Sequence, residues 1–236
     1  MKLRIKFAKQ GPMKFIGHLD IMRYFQKAMR RANIDICYSE GFSPHQIMSF
    51  ASPLGVGLTS AGEYMDIEVA TATSSEQMTE HLNQVMVDGM KVLSVRELKD
   101  GAKNAMSIVA AADYSAQFRK EHEPDDVGQY FSRLKEFLDQ SQILVIKKGK
   151  KGEQEIDIRP FIYELTFRDH TVYMKLSSGS ANNLKPELVL EAYAHFCNAE
   201  YKGIAYQIQR EELYAVNNAD PDHPFISLEE LGEEFE

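Results

Sequence analysis

Residues 2–8, KLRIKFA, set Leu3, Ile5 and Phe7 in strict alternation with Lys2, Arg4 and Lys6. A period of two is that of a strand with one buried face, and no helix gathers positions i, i+2 and i+4 onto one stripe. The chain therefore opens on a strand whose polar side is entirely basic. Any fold it adopts must supply a sheet for that strand to join.

The next period is helical. In HLDIMRYFQKAMRRA the apolar residues Ile21, Met22, Phe25, Ala28, Met29 and Ala32 recur on one side and predict a helix over 18–32. ICY at 36–38 reads as a short strand, and EYMDIEVA at 63–70 alternates again. SSEQMTEHLNQVMVDG carries serine caps, helical spacing and a closing glycine, and KVLSVREL at 91–98 is a further strand.

The order β-α-β-β-α-β is then expected a second time. A strand covers 107–119, and Val127, Tyr130, Phe131, Leu134, Phe137 and Leu138 share one helical face. ILVIKK, IYELTF and TVYMKLS are strands, the last two joined by a tight RDH turn. Pro186 opens a helix, and 204–215 alternates as the final strand. The expected fold class is α+β: two ferredoxin-like (βαββαβ) halves at 1–100 and 101–215, mostly antiparallel, with helices on one face. An acidic tail at 216–236 follows, expected to trail or pack loosely, with docking on a partner or shielding of the basic region as the alternative.

The chain has 236 residues, 44% of them hydrophobic, enough for proper cores. It contains no apolar run of membrane-spanning length and no signal-peptide block at its start, so the expected address is the cytoplasm, away from membranes. Cys37 and Cys197 are too few for a disulfide framework or a four-thiolate zinc site. The formal charge of −8 hides an asymmetry, because residues 1–60 hold nine Lys/Arg against three Asp/Glu.

Arg23, Lys27, Arg30 and Arg31 fall on the polar side of the predicted helix. With Lys2, Arg4 and Lys6 they form a candidate phosphate-contacting surface for structured RNA. An ordinary solvated face, with Asp20 pairing to Arg23, is the plainer reading. GHLD at 17–20 puts His18 and Asp20 at the helix entrance, where Asp20 suits the free backbone donors. His18, Asp20 and His45 are the weak candidates for acid-base chemistry, provided the fold joins them.

YSEGFSPHQIMSF at 38–50 holds Gly41, Phe42, Pro44 and His45 in a segment long for a connector, which reads as a binding loop. PLGVG at 53–57 permits close approach but is no phosphate loop. KKGKKG at 147–152 reads as a basic hairpin tip. Asp157 and Arg159 in EIDIRPF share a strand face, either as a structural anchor or as a substrate or RNA contact. The chain has no CxxxCxxC cluster, no GxGxxG loop and no GxSxG elbow, so neither cofactor nor metal is expected.

The block from GPMKFIGHLD through GFSPHQIMSFASPLGVG to GEYMDIEV, with DIRP at 157–160 and LKPELVL at 184–190, resembles the radical-SAM-linked bacterial protein family, a domain of unknown function. That domain occurs alone or at the C-terminus of radical S-adenosylmethionine proteins. The resemblance spans about residues 1–215 and maps onto His18, Asp20, Gly41, Phe42, Pro44, His45, Gly55, Glu63, Asp66, Asp157, Arg159 and Pro160. It implies a radical S-adenosylmethionine protein as partner, encoded nearby together with ribonuclease G and ribosomal proteins, and work related to RNA or the ribosome. Gln46 and Ile47 stand where the family more often has Pro followed by a basic residue.

The resulting expectation is an accessory RNA-binding or substrate-presenting protein, not an enzyme by itself, that docks electrostatically. The alternatives are an RNA-processing or modifying enzyme built on His18, Asp20 and His45, and a protein-interaction module without RNA.

Overall fold

The computed structural model describes residues 1–149, 152–180 and 182–236. In chain order the elements are β1 (Lys2–Lys9), α1 (His18–Arg31), β2 (Met48–Phe50), β3 (Thr59–Glu68), α2 (Ser75–Asn83), β4 (Met90–Leu98) and α3 (Ala105–Ile108). There follow β5 (Val109–Phe118), α4 (Val127–Phe131), α5 (Leu134–Leu138), β6 (Leu144–Gly149), β7 (Gly152–Asp157), β8 (Ile162–Arg168) and β9 (Thr171–Ser177). The last are α6 (Pro186–Phe196), β10 (Tyr206–Val216), β11 (Phe225–Ser227) and β12 (Gly232–Glu233). The fold is mixed α+β, as the sequence leads one to expect.

Two compact units divide the chain, Met1–Ala111 with Arg210–Glu236, and Ala112–Gln209. The first therefore takes in the C-terminal segment that the sequence sets apart as a loose tail. In this unit β4 and β3 flank β1 on either side, both antiparallel to it, and β2 pairs with β3. Leu3, Ile5 and Phe7 meet Ile67, Met65 and Glu63 across the β1–β3 ladder. Their face is covered by Ile21, Phe25 and Met29 of α1 and by Met78 and Leu82 of α2, forming one core. Residues 36–38 do not become a strand. Met48–Phe50 already occupies the β3 edge at 65–67, so the ICY segment makes only isolated bridges, Ile36 to Val69 and Tyr38 to Gln46.

The C-terminal segment is held at both ends. β11 pairs with β10 and β12 pairs with β4, while the Phe235 and Ser75 backbones and the Ser75 hydroxyl bond to one another at the start of α2. Leu228 is fully buried. Its acids account for the docking: Glu229 pairs with Lys6, Glu234 with Arg96 and Glu233 with Lys99. The segment thus packs on the first unit instead of trailing, and of the basic region it meets Arg4 and Lys6.

In the second unit β9 lies between β5 and β8, and β5 continues to β10. The RDH turn joins β8 to β9 with Asp169 and His170 both at positive φ, the requirement of a two-residue hairpin turn. The helix expected over 127–138 is two short pieces, α4 and α5. The Ser132 hydroxyl donates to the Gln129 carbonyl at 2.7 Å, a local bond that competes with helix continuation. β6 and β7 form a separate two-stranded ribbon. Lys150 and Lys151 of the KKGKKG tip lie outside the described residues.

Candidate functional site

The GFSPH loop is closed at its base and open at its tip. Cys37 N–H donates to the Glu68 carbonyl and Ile47 N–H to the Cys37 carbonyl, both at 2.8 Å. One step further out, Ser39 N–H donates to the His45 carbonyl at 2.8 Å, and His45 N–H to the Ser39 hydroxyl at 3.1 Å. The His45 Nδ1 lies 2.8 Å from that same hydroxyl. The Gln46 amide donates to the Gln26 carbonyl at 3.3 Å, fastening the base to α1. Gly41 turns the tip at φ +103°, a conformation that side chains disfavour. Phe42 beside it is fully exposed.

A second exposed apolar group stands at the entrance of α1. Gly57 N–H donates to the Lys14 carbonyl at 2.8 Å, joining the 53–57 segment to the turn before the helix. Phe15, Leu19 and Val56, on these segments, are each at least 60% exposed. The Lys14 ammonium lies 5.2 Å from the Phe15 ring centre.

The basic residues fall into two classes. Arg23, Lys27, Arg30 and Arg31 are exposed on α1. Arg23 pairs with Asp20 at 3.2 Å, and Arg31 donates to the Val85 carbonyl and lies over the Tyr24 ring. Lys27 and Arg30 have no ion-pair partner among the described residues. The basic face of β1 is committed inward instead. Arg4 is 1% exposed and donates to both Asp66 oxygens and to the Leu228 carbonyl. Lys6 lies between Glu212 at 2.7 Å and Glu229 at 2.9 Å. Burial alone lowers the Lys6 ammonium, but its two carboxylates outweigh this and hold it above the ordinary lysine value. Burial and the Glu212 carboxylate push the Tyr64 hydroxyl well up as it donates to Glu212 at 2.6 Å. Lys2 is exposed, with its ammonium 3.6 Å from Glu68. Of the surface expected from Lys2, Arg4, Lys6 and α1 together, Arg4 and Lys6 are thus bonded internally, while Lys2 and the α1 residues stay exposed.

The three acid-base candidates have different partners. The His18 ring packs edge-on against Phe50 at 5.5 Å and lines a cavity of about 20 Å³ with Lys9, room for one water. His45 lines a separate groove of about 300 Å³ with Ser39, Asp66 and Asn104. Asp20 is exposed beside Arg23. Among the described residues no group of three His, Cys, Asp or Glu side chains could hold a metal. Asp157 and Arg159 act locally: Asp157 accepts from Ile143 and Arg159 N–H, and the Arg159 side chain donates to the Leu138 and Ile162 carbonyls.

One charged group escapes the motif reading. Lys9 is 3% exposed, with its ammonium 3.5 Å from the Ile16 carbonyl. Near it the Arg210 guanidinium donates to Glu63 and, at 2.8 Å, to the Ser52 carbonyl. Burial lowers the Lys9 ammonium, and the charge of Glu63 only partly offsets this. The signal was in the alternation: Lys9 is in phase with Leu3, Ile5 and Phe7, and Arg210 with Tyr206 and Ile208, so both sit on faces that should be apolar.

No helix among the described residues is long and apolar enough to cross a membrane. Residues 2–186 match a family described as an uncharacterized protein conserved in bacteria, DUF2344. No curated protein matches the chain.

Proposed function

We propose that this chain, which belongs to the DUF2344 family, is an interaction module that docks a radical S-adenosylmethionine enzyme through the exposed face of its first unit. The domain is found at the C-terminus of some radical S-adenosylmethionine proteins, which makes association with such an enzyme the shared circumstance of fused and separate members. The observation that carries the reading is Phe42, fully exposed on a loop that the Ser39–His45 bonds hold closed at its base. Phe15, Leu19 and Val56 add apolar surface at the α1 entrance, and Lys27 and Arg30 add unpaired charge along the helix. Aromatic side chains and arginine are enriched at protein interfaces and their hot spots.

A second reading, retention of structured RNA, is favoured by the exposure of Arg23, Lys27, Arg30 and Arg31. It has lost the contribution of Arg4 and Lys6, which are bonded internally.

The test is co-expression with a radical S-adenosylmethionine protein from the same organism, followed by nuclease treatment and gel filtration. Docking predicts a complex that survives nuclease and is lost with Phe42→Glu. A complex that dissolves with nuclease and with Arg23→Glu, Lys27→Glu and Arg30→Glu, but tolerates Phe42→Glu, supports RNA instead.

A further inference from the structure

In the second unit β6 and β7 pair only with each other. A two-stranded ribbon is marginal by itself, and its outer edge carries backbone groups that face away from the partner strand. Among the described residues, Leu144, Val145 and Ile146 make no backbone hydrogen bond to any segment but β7. α6 packs beside the ribbon, and between them runs a cavity of about 610 Å³ lined by four consecutive residues, Ile143 to Ile146, and by Glu191 and Phe196 of the helix.

The lining has a definite chemistry. Leu144 and Ile146, two apart on one face of β6, are 54% and 60% exposed, an unusual waste of apolar surface in a strand. Phe137 and Phe196 extend the apolar floor. The polar lining is acidic: Glu153 and Glu155 from β7 and Glu191 from α6, against the single imidazole of His195. Ile146 stands directly across the ladder from Glu155, so an apolar row on β6 and an acidic row on β7 lie side by side on one face of the ribbon. Glu155 and Glu191 have no ion-pair partner among the described residues.

We propose that this groove binds an extended, cationic segment of a partner protein, which adds to β6 as a third strand. Its backbone would bond the open edge, and side chains at every second position, all on the groove side, would in turn cover Leu144 and Ile146 and bring lysines or arginines to Glu155 and Glu191. The site is independent of the docking face in the first unit.

The probe is a short fluorescent peptide whose every second residue is in turn valine and lysine, with threonine between them, compared with its glutamate–valine counterpart and with a version N-methylated at alternate backbone positions. Fluorescence anisotropy should show saturable binding of the lysine peptide alone, with slowed hydrogen exchange at residues 144–146. Glu155→Lys with Glu191→Lys should weaken it about tenfold or more, while Arg23→Glu leaves it unchanged. Both glutamates are on the groove surface, and circular dichroism of the variant confirms its fold. Equal binding of the glutamate or N-methylated peptide, no binding of any, or full affinity in the double variant overturns the proposal. So does exchange protection of 144–146 that rises with protein concentration alone, since a second copy then fills the edge.

Discussion

Arg4 and Asp66 face each other across β1 and β3 in a two-pronged pair, Nε to Oδ1 at 2.8 Å and Nη2 to Oδ2 at 3.0 Å. The pair also fastens two distant segments. Asp66 accepts from Ala105 N–H at 2.7 Å, and Arg4 donates to the Leu228 carbonyl at 3.1 Å. Four stretches of chain thus meet on one ion pair that solvent barely touches.

Removing either partner leaves the other charge buried. Arg4→Met is expected to lower unfolding free energy by about 3–5 kcal/mol, the usual cost of breaking a buried pair from one side. Replacing both, as Arg4→Met with Asp66→Leu, is expected to recover part of that loss. Urea denaturation of the two variants measures both values, and equal losses would show that the charge left behind is not the cause.

The C-terminal segment is expected to be a structural part of the first unit. Ending the chain after Val216 removes Leu228, which is fully buried, and takes Glu229 from Lys6 and Arg96. Loss of the leucine alone is worth about 2 kcal/mol. The shortened protein should unfold at lower urea and be cut faster by protease within β1 and β4. Unchanged stability would return the segment to the role of a passive tail.

These two sites mark how far the sequence could be read. The alternation of Leu3, Ile5 and Phe7 announces β1, and the spacing of Ile21, Phe25, Ala28 and Met29 announces α1, because each period repeats within a few residues. What covers the other face of β1 is not a local property. Glu212 and Glu229 reach Lys6 from more than 200 positions away, and no period links them. The basic strand therefore looks like a surface until the fold supplies its acids. Phe42 was legible as part of a loop too long to be a connector, but its exposure was not. The buried Lys9 was written plainly, as a charge in an apolar phase.

Lys9 gives a prediction in pH. Its ammonium is held below the ordinary 10.5 by burial, so the folded chain binds fewer protons there than the unfolded one as pH approaches 10.5. Stability from this group accordingly rises with pH through that window and is poorest below it. Lys9→Met lacks the penalty and should be more stable than the parent at neutral pH by about 1–3 kcal/mol. The gap should narrow as pH climbs toward 10.5. A gap that is constant with pH, or a destabilised variant, would mean that the charge of Glu63 matters more than burial.

Gly62 lies where β3 meets β10. A Cβ at this position would stand 2.5 Å from the Glu211 carbonyl oxygen and 2.7 Å from the Glu212 Cα, both backbone atoms that cannot swing aside. Gly62→Ala must push β10 outward, and β10 carries Arg210 to Glu63 and Glu212 to Lys6 and Tyr64. The expected cost is about 1–3 kcal/mol from crowding, with strain on both ionic groups besides. Two readings separate these effects. Urea denaturation gives the stability loss, and repeating Gly62→Ala in a Tyr64→Phe background reports the Glu212 contact, since a strained contact contributes nothing once its hydroxyl is gone. Alanine accepted at full stability in both backgrounds would mean that the strands are not packed this closely.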